Sequence, residues 1–225
     1  MLVKDWMTEA TVNVTSDASV IVAAELLRRK NIRQLPVIDA DGELVGIVSD
    51  RDIRDAMPSK YLPGDHAVGQ GLAALTVENI MALDPLTTSP DVTMESVADI
   101  LMRNKFGALP VLDEDGLLVG IITQADVFKY LCACTGVSGD GIQLAFKLSD
   151  EPGAAIELLS LLRDQDVRLI SVMTSYEHVE YGFRHVSMRV RSAGRHSLES
   201  LVGYLREKGY DVLYYIQNGK AVMAS

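Results

Sequence analysis

The chain has 225 residues, 48% of them hydrophobic and 23% charged, with a formal net charge of −10. That length allows one large domain or two to three small ones, and the charge balance excludes nonspecific nucleic-acid binding, because no surplus of cations is there to neutralise phosphates. Lys4 and Asp5 break the N-terminal apolar run at once, no apolar run approaches the ~18 residues of a membrane span, and the two cysteines, Cys132 and Cys134, form no disulfide framework, so a cytoplasmic protein with no membrane contact is expected.

In chain order, an extended piece at Thr11 to Val14 comes first, followed by Asp17 as an N-cap and a helix carrying Val20, Ala23, Ala24 and Leu27 on one face. An apolar strand follows at Leu35 to Ile38. Asp39-Ala40-Asp41-Gly42 turns the chain into a second strand at Leu44 to Val48, whose unbroken apolar run predicts burial on both faces. Ser49-Asp50-Arg51-Asp52 then opens a short helix. The whole unit recurs at an offset of 74 positions, as from Pro36 to Pro110. Met7 maps onto Met81, Asp17 onto Asp91, Leu44-Val45-Gly46-Ile47 onto Leu118-Val119-Gly120-Ile121, and Asp52 onto Asp126. Roughly a third of the positions are identical and no insertion is needed, which marks a duplication. One copy cannot bury both faces of its sheet, whereas two packed together can.

Pro58, Pro63, Gly64, Gly69 and Gly71 read as an irregular connection with a short helix near Val68 to Leu75, and Gly136 to Gly141 as a second linker. Beyond it the pattern changes. Strands are predicted at Ile142 to Leu148, Val167 to Tyr176, Val186 to Val190 and Tyr210 to Ile216. Helices carry Ala155, Leu158, Leu159 and Leu162, then Leu198, Leu201, Val202 and Leu205. The order βαββαβ is a ferredoxin-like split unit. The expected boundaries are 1–60 and 76–135 for the two copies, 61–75 and 136–141 for linkers, 142–219 for the third domain and 220–225 for a tail.

The chemistry-bearing pattern is a hydroxyl residue ending a strand with an aspartate three positions on: Ser49 with Asp52, Thr123 with Asp126. A hydroxyl can donate to a phosphate, a carboxylate can accept a ribose diol, and a helix start favours anions. The same spacing is also an ordinary helix-capping arrangement, so its weight comes from recurrence. The copies differ around it: Arg33, Gln34 and Arg51 face Gly107, Ala108 and Ala125, which predicts two cradles of unequal phosphate affinity. No metal-binding histidine spacing, G-x-S-x-G or Walker-type loop occurs, and no enzyme is expected.

The doubled pattern L-P-V-h-D-x-D-G-x-h-h-G-h-h-[ST]-x-x-D resembles a tandem pair of CBS domains, a Bateman module, over about residues 1–135. That resemblance implies an α+β pair with pseudo-twofold symmetry and two clefts for AMP, ADP, ATP or S-adenosylmethionine, with no required cofactor. It implies that Thr8, Asn13, Ile32, Arg33, Gln34, Pro36, Ser49, Arg51 and Asp52 serve nucleotide binding, as do Phe106, Gly107, Ala108, Pro110, Thr123 and Asp126. Residues 142–219, with Asp150-Glu151-Pro152-Gly153 between strand and helix, resemble an ACT domain. This implies sheet pairing in a homodimer and an amino-acid effector held by Asp150 and Gly153, or dimerisation with no ligand. The combination resembles the bacterial acetoin-utilisation accessory (AcuB-like) family, which implies a role in that pathway. Two function classes are expected: a nucleotide-responsive regulator that biases its own oligomer or an unknown protein partner, and a structural adaptor.

Overall fold

A computed structural model describes residues 1–9, 11–56, 75–217 and 220–223. The expected linker at 61–75, with its helix, lies outside the described residues except for Leu75. The chain divides into two compact units, Met1–Tyr130 and Leu131–Ser225.

In the first unit a 3-10 turn at Val3–Asp5 and β1 (Thr8–Glu9) precede β2 (Val14–Thr15), α1 (Val20–Lys30), β3 (Gln34–Ile38), β4 (Leu44–Ser49) and α2 (Asp50–Ala56). The second copy runs through a 3-10 turn at Val77–Asn79, β5 (Ala82–Leu83), α3 (Met94–Asn104), β6 (Ala108–Leu112), β7 (Leu118–Thr123) and α4 (Gln124–Thr135). The helices bury the apolar stripe that their periodicity predicts: Val20, Ala23 and Leu27 in α1, and Met94, Val97 and Leu101 in α3. Their caps stand two residues later than expected. Ser19 Oγ accepts from the Ile21 N–H at 3.3 Å and Thr93 Oγ1 from the Ser96 N–H at 3.3 Å. The aspartates lie outside the helices, and Asp91 instead takes Lys4 Nζ at 2.7 Å. The hairpin signal D-x-D-G has a direct cause. Asp39 Oδ1 accepts from the N–H groups of Asp41 and Glu43 at 3.0 and 2.9 Å, Asp113 Oδ1 does the same for Asp115 and Leu117 at 3.0 and 2.8 Å, and Gly42 and Gly116 supply the positive φ. β4 is not buried on both faces throughout: Gly46 and Val48 are buried, while Leu44, Val45 and Ile47 are half-buried.

The two copies exchange their leading segments. β1 pairs antiparallel with β7 of the second copy, with Thr8 opposite Ile121, and β5 pairs with β4 of the first, with Ala82 opposite Ile47. Val3 is fully buried in the core of Met94, Val97, Leu101, Leu109, Val111 and Ile122. Val77 is fully buried in the core of Val20, Ala23, Leu27, Leu35, Val37 and Val48. The Val3 N–H donates to Val92 O at 2.9 Å and the Val77 N–H to Ala18 O at 2.8 Å. Each hydrophobic core is therefore completed by the other copy.

At the end of this unit the Tyr130 hydroxyl donates to the Glu95 carboxylate, while the Tyr130 ring meets Trp6 edge-on at 5.6 Å. The Tyr130 hydrogen bond, with help from the backbone at Glu95, holds the Glu95 carboxyl below its ordinary value. A lowered folded-state value stabilises above the unfolded value and is lost as pH falls through the folded one. Tyr130→Phe keeps the ring, so denaturant melts are expected to show a deficit near neutral pH of under about 1 kcal/mol, the pair being exposed, that vanishes on acidification below the carboxylate range.

The second unit contains β8 (Ile142–Ser149), α5 (Ala154–Asp164), β9 (Leu169–Ser175), β10 (Phe183–Val190), α6 (Leu198–Glu207) and β11 (Asp211–Gln217). Its antiparallel sheet has the order β12-β11-β8-β10-β9, where β12 (Lys220–Met223) pairs with β11. The first four strands thus have the split βαββαβ arrangement. A strand stands at 220–223 where the sequence reading ends the domain at 219. Phe146, Leu144, Met188, Leu158, Leu201 and Leu205 are fully buried between sheet and helices. Free Cys132 and Cys134 lie on α4.

Candidate functional site

Each copy brings its hydroxyl and its aspartate into one tight ring. The Ser49 N–H and hydroxyl both donate to Asp52 Oδ2, at 2.7 and 2.6 Å, and the Asp52 N–H returns to Ser49 Oγ at 3.2 Å. In the second copy the Thr123 N–H and hydroxyl donate to Asp126 Oδ2 at 3.0 and 2.6 Å, and the Asp126 N–H reaches Thr123 Oγ1 at 3.3 Å. This is a reciprocal capping box with aspartate in the third helical position. In the absence of a ligand both hydroxyls donate to the carboxylates. The helix starts are also largely satisfied: the Asp50 N–H donates to Arg33 O at 2.9 Å and the Gln124 N–H to Gly107 O at 3.0 Å.

What remains for a ligand is the second carboxylate oxygen and the nearby side chains. No described residue donates to Asp52 Oδ1, and Asp52 is half-buried. Arg33 is exposed immediately before β3, Arg51 is exposed in the first turn of α2, and neither is paired with a carboxylate among the described residues. One carboxylate oxygen without a described donor and two guanidinium groups without a described carboxylate partner therefore belong to one strand–helix corner.

The second corner differs. Asp126 is buried, at 4% exposure, and its Oδ1 accepts from Lys129 Nζ at 2.8 Å. Gln124 Nε2 donates to Phe106 O at 2.9 Å. Gly107 stands where the first copy has Arg33, and a Cβ there would lie 2.6 Å from Gln34 Nε2, so the amide of the first copy would have to swing aside for any side chain at 107.

The other expected residues are placed as follows. Pro36 and Pro110 are buried strand residues opposite Ile47 and Ile121, and Ala108 is buried at the start of β6, so these three build the sheets. Ile32 is half-buried and Phe106 is exposed at 41% just before β6. Thr8 lies on β1, opposite Ile121 on the strand that ends in Thr123. Asn13 is exposed, and its amide donates to Thr11 O at 3.5 Å. Lys129 escapes sequence reasoning. Its counterpart at the same offset is Asp55, and that sign reversal was the available signal.

In the second unit Asp150 Oδ1 accepts from the Tyr176 hydroxyl at 2.9 Å and lies 3.7 Å from Arg184 Nη1, so an ammonium would compete with two donors already there. Gly153 caps the start of α5 with φ +96°, a backbone angle that favours glycine, and a Cβ there would meet nothing within 4 Å. A hollow of about 500 Å³ is lined by Arg163, Asp166, Arg168 and Arg195, of which Arg163 pairs with Asp164 and Arg195 with Asp166. Among the described residues no cluster of three or more His, Cys, Asp or Glu could hold a metal ion, and no helix is long and apolar enough to cross a membrane.

Part of the chain is similar to known proteins. A CBS domain-containing protein of Dictyostelium discoideum is 34% identical over 132 residues, which span 58% of this chain and 91% of that protein. The homoserine O-acetyltransferase of Methanococcoides burtonii is 35% identical over 129 residues, but the match spans only 24% of its length. The crystal structure of protein MJ1225 from Methanocaldococcus jannaschii superimposes with a TM-score of 0.51 at 29% identity, covering 58% of this chain and 47% of that one. The sequence profile of the CBS domain matches twice, at residues 3–59 and 77–133, on the two copies of the repeat. The chain belongs to the CBS domain family.

Proposed function

We propose that the protein is a regulatory ligand sensor, not an enzyme, that binds an adenosine-containing nucleotide (AMP, ADP, ATP or S-adenosylmethionine) in its CBS clefts and passes occupancy to its own oligomeric state or to a partner protein. The observation that carries this reading is the first corner, where no described residue donates to Asp52 Oδ1 and where Arg33 and Arg51 make no ion pair among the described residues. A carboxylate oxygen suits a ribose diol and paired arginines suit a phosphate. A ligand that prefers one conformer by ~1–3 kcal/mol shifts the equilibrium ~5–150-fold, which is enough for regulation. In the same reading the second unit is an ACT-like dimerisation domain, and the resemblance to the acetoin-utilisation accessory family suggests a cytoplasmic homodimer acting in that pathway.

Calorimetric titration with AMP and ATP tests the sensor. Binding is expected for the wild type, and Arg33→Ala is expected to weaken it by roughly tenfold, the loss of one exposed charge-assisted contact. A second reading rests on the capping boxes, which are complete without a ligand. If neither nucleotide releases heat with any variant, the repeat is a structural adaptor.

A further inference from the structure

The two corners share one capping box, yet they do not offer a ligand the same carboxylate. Each ionised carboxylate oxygen has two lone-pair sites. In both copies Oδ2 is filled by a backbone N–H and a hydroxyl. Recognition of a diol, which brings two O–H donors, therefore falls to Oδ1. At Asp52 no described residue donates to that oxygen, and the position three residues on is Asp55, an exposed like charge that cannot donate. At Asp126 the position three residues on is Lys129, whose ammonium holds Oδ1 at 2.8 Å. One of its two sites is thereby taken before any ligand arrives.

The contact also sits in a more protected place than an ordinary surface pair. The Asp126 side chain is 6% exposed while that of Lys129 is 70% exposed, so the lysine approaches a largely desolvated carboxylate from solvent. The same corner has no cation in the place of Arg33: Gly107 stands there, with the Gln34 amide beside it. The second cleft thus loses on two counts: it lacks a phosphate partner before β6, and its diol acceptor is already engaged.

We propose that Lys129 is a specificity-determining residue of the second cleft. It competes with a ribose diol for Asp126 Oδ1, so that the first cleft fills first and the second requires a higher nucleotide concentration. This rests on the nucleotide reading above and adds an order of filling to it. A protein built this way responds over two concentration ranges of one ligand.

The test is calorimetric titration of the full chain with AMP. Asp52→Asn identifies the tighter step by weakening it. Lys129→Met keeps the aliphatic stem and removes the ammonium; it is expected to tighten the weaker step about fivefold, or to bring it into range, and to leave the tighter step unchanged. Asp55→Lys installs the pair in the first copy and is expected to weaken the tighter step by a similar factor. Both substituted positions are exposed, and thermal melts confirm that the variants fold. The proposal is overturned if Lys129→Met leaves the weaker step unchanged or weakens it, or if Asp126→Asn rather than Asp52→Asn removes the tighter step. Absence of AMP binding in every variant instead overturns the nucleotide reading itself, and the filling order with it.

Discussion

Replacing Asp126 with alanine is expected to destabilise the first unit by about 2–4 kcal/mol, more than any other single change at either corner. The aspartate is buried and accepts three hydrogen bonds, from the Thr123 N–H, the Thr123 hydroxyl and Lys129. Alanine removes the acceptor of a part-buried backbone N–H, whose desolvation then goes uncompensated, and it removes half of the capping box at the start of α4. The Thr123 hydroxyl can turn to solvent and Lys129 is exposed, so those two losses add little. Asp52→Ala removes the same box from a half-buried position and is expected to cost less. Trp6 is the single tryptophan and packs in the first unit, so its fluorescence in denaturant melts reports that unit directly. A loss below about 1 kcal/mol at Asp126 would mean that the box contributes no more than an ordinary exposed cap, and that its aspartate has no structural task to set beside ligand binding.

This structural share explains which parts of the site were legible in the sequence. The hydroxyl–aspartate spacing is local, and helix geometry alone brings Ser49 to Asp52 and Thr123 to Asp126. What the hydroxyl proton does there is not local: it depends on whether the carboxylate or a ligand accepts it, and the carboxylate lies 2.6 Å away. The helices over Val20 to Leu27 and Met94 to Leu101 were legible because a 3.6-residue stripe is an unambiguous signal, and the turns at Asp39 and Asp113 because their side chains bond to their own backbone. The caps were displaced because Asp17 and Ser19 are both good capping residues, and only the position of the first buried residue, Val20, decides between them. β12 was missed because Lys220 to Met223 is too short and too mixed in polarity to read as a strand until β11 stands beside it.

The largest feature hidden from local reading is the exchange of leading segments, and it is also open to a test of expected size. Gly120 is expected to tolerate no side chain. A Cβ there would lie 2.7 Å from Met7 Sδ and 3.1 Å from Thr8 O, and at Gly46 the distances are 2.6 Å to Met81 Sδ and 3.0 Å to Ala82 O. Gly120→Ala is expected to cost about 2–3 kcal/mol by overpacking, read again through Trp6, and Gly46→Ala a similar amount. The double variant Gly120→Ala with Met7→Ala separates the causes. If the methionine is the obstacle, shortening it makes room and the double variant is more stable than the sum of the single losses by at least about 1 kcal/mol. If the losses simply add, the carbonyl of Thr8 is the obstacle, and the strand itself must move. In either case a glycine of one copy is set by the leading segment of the other. Met7 and Met81 repeat at the same offset as Gly120 and Gly46 because each copy of the repeat supplies the lid for its neighbour's sheet.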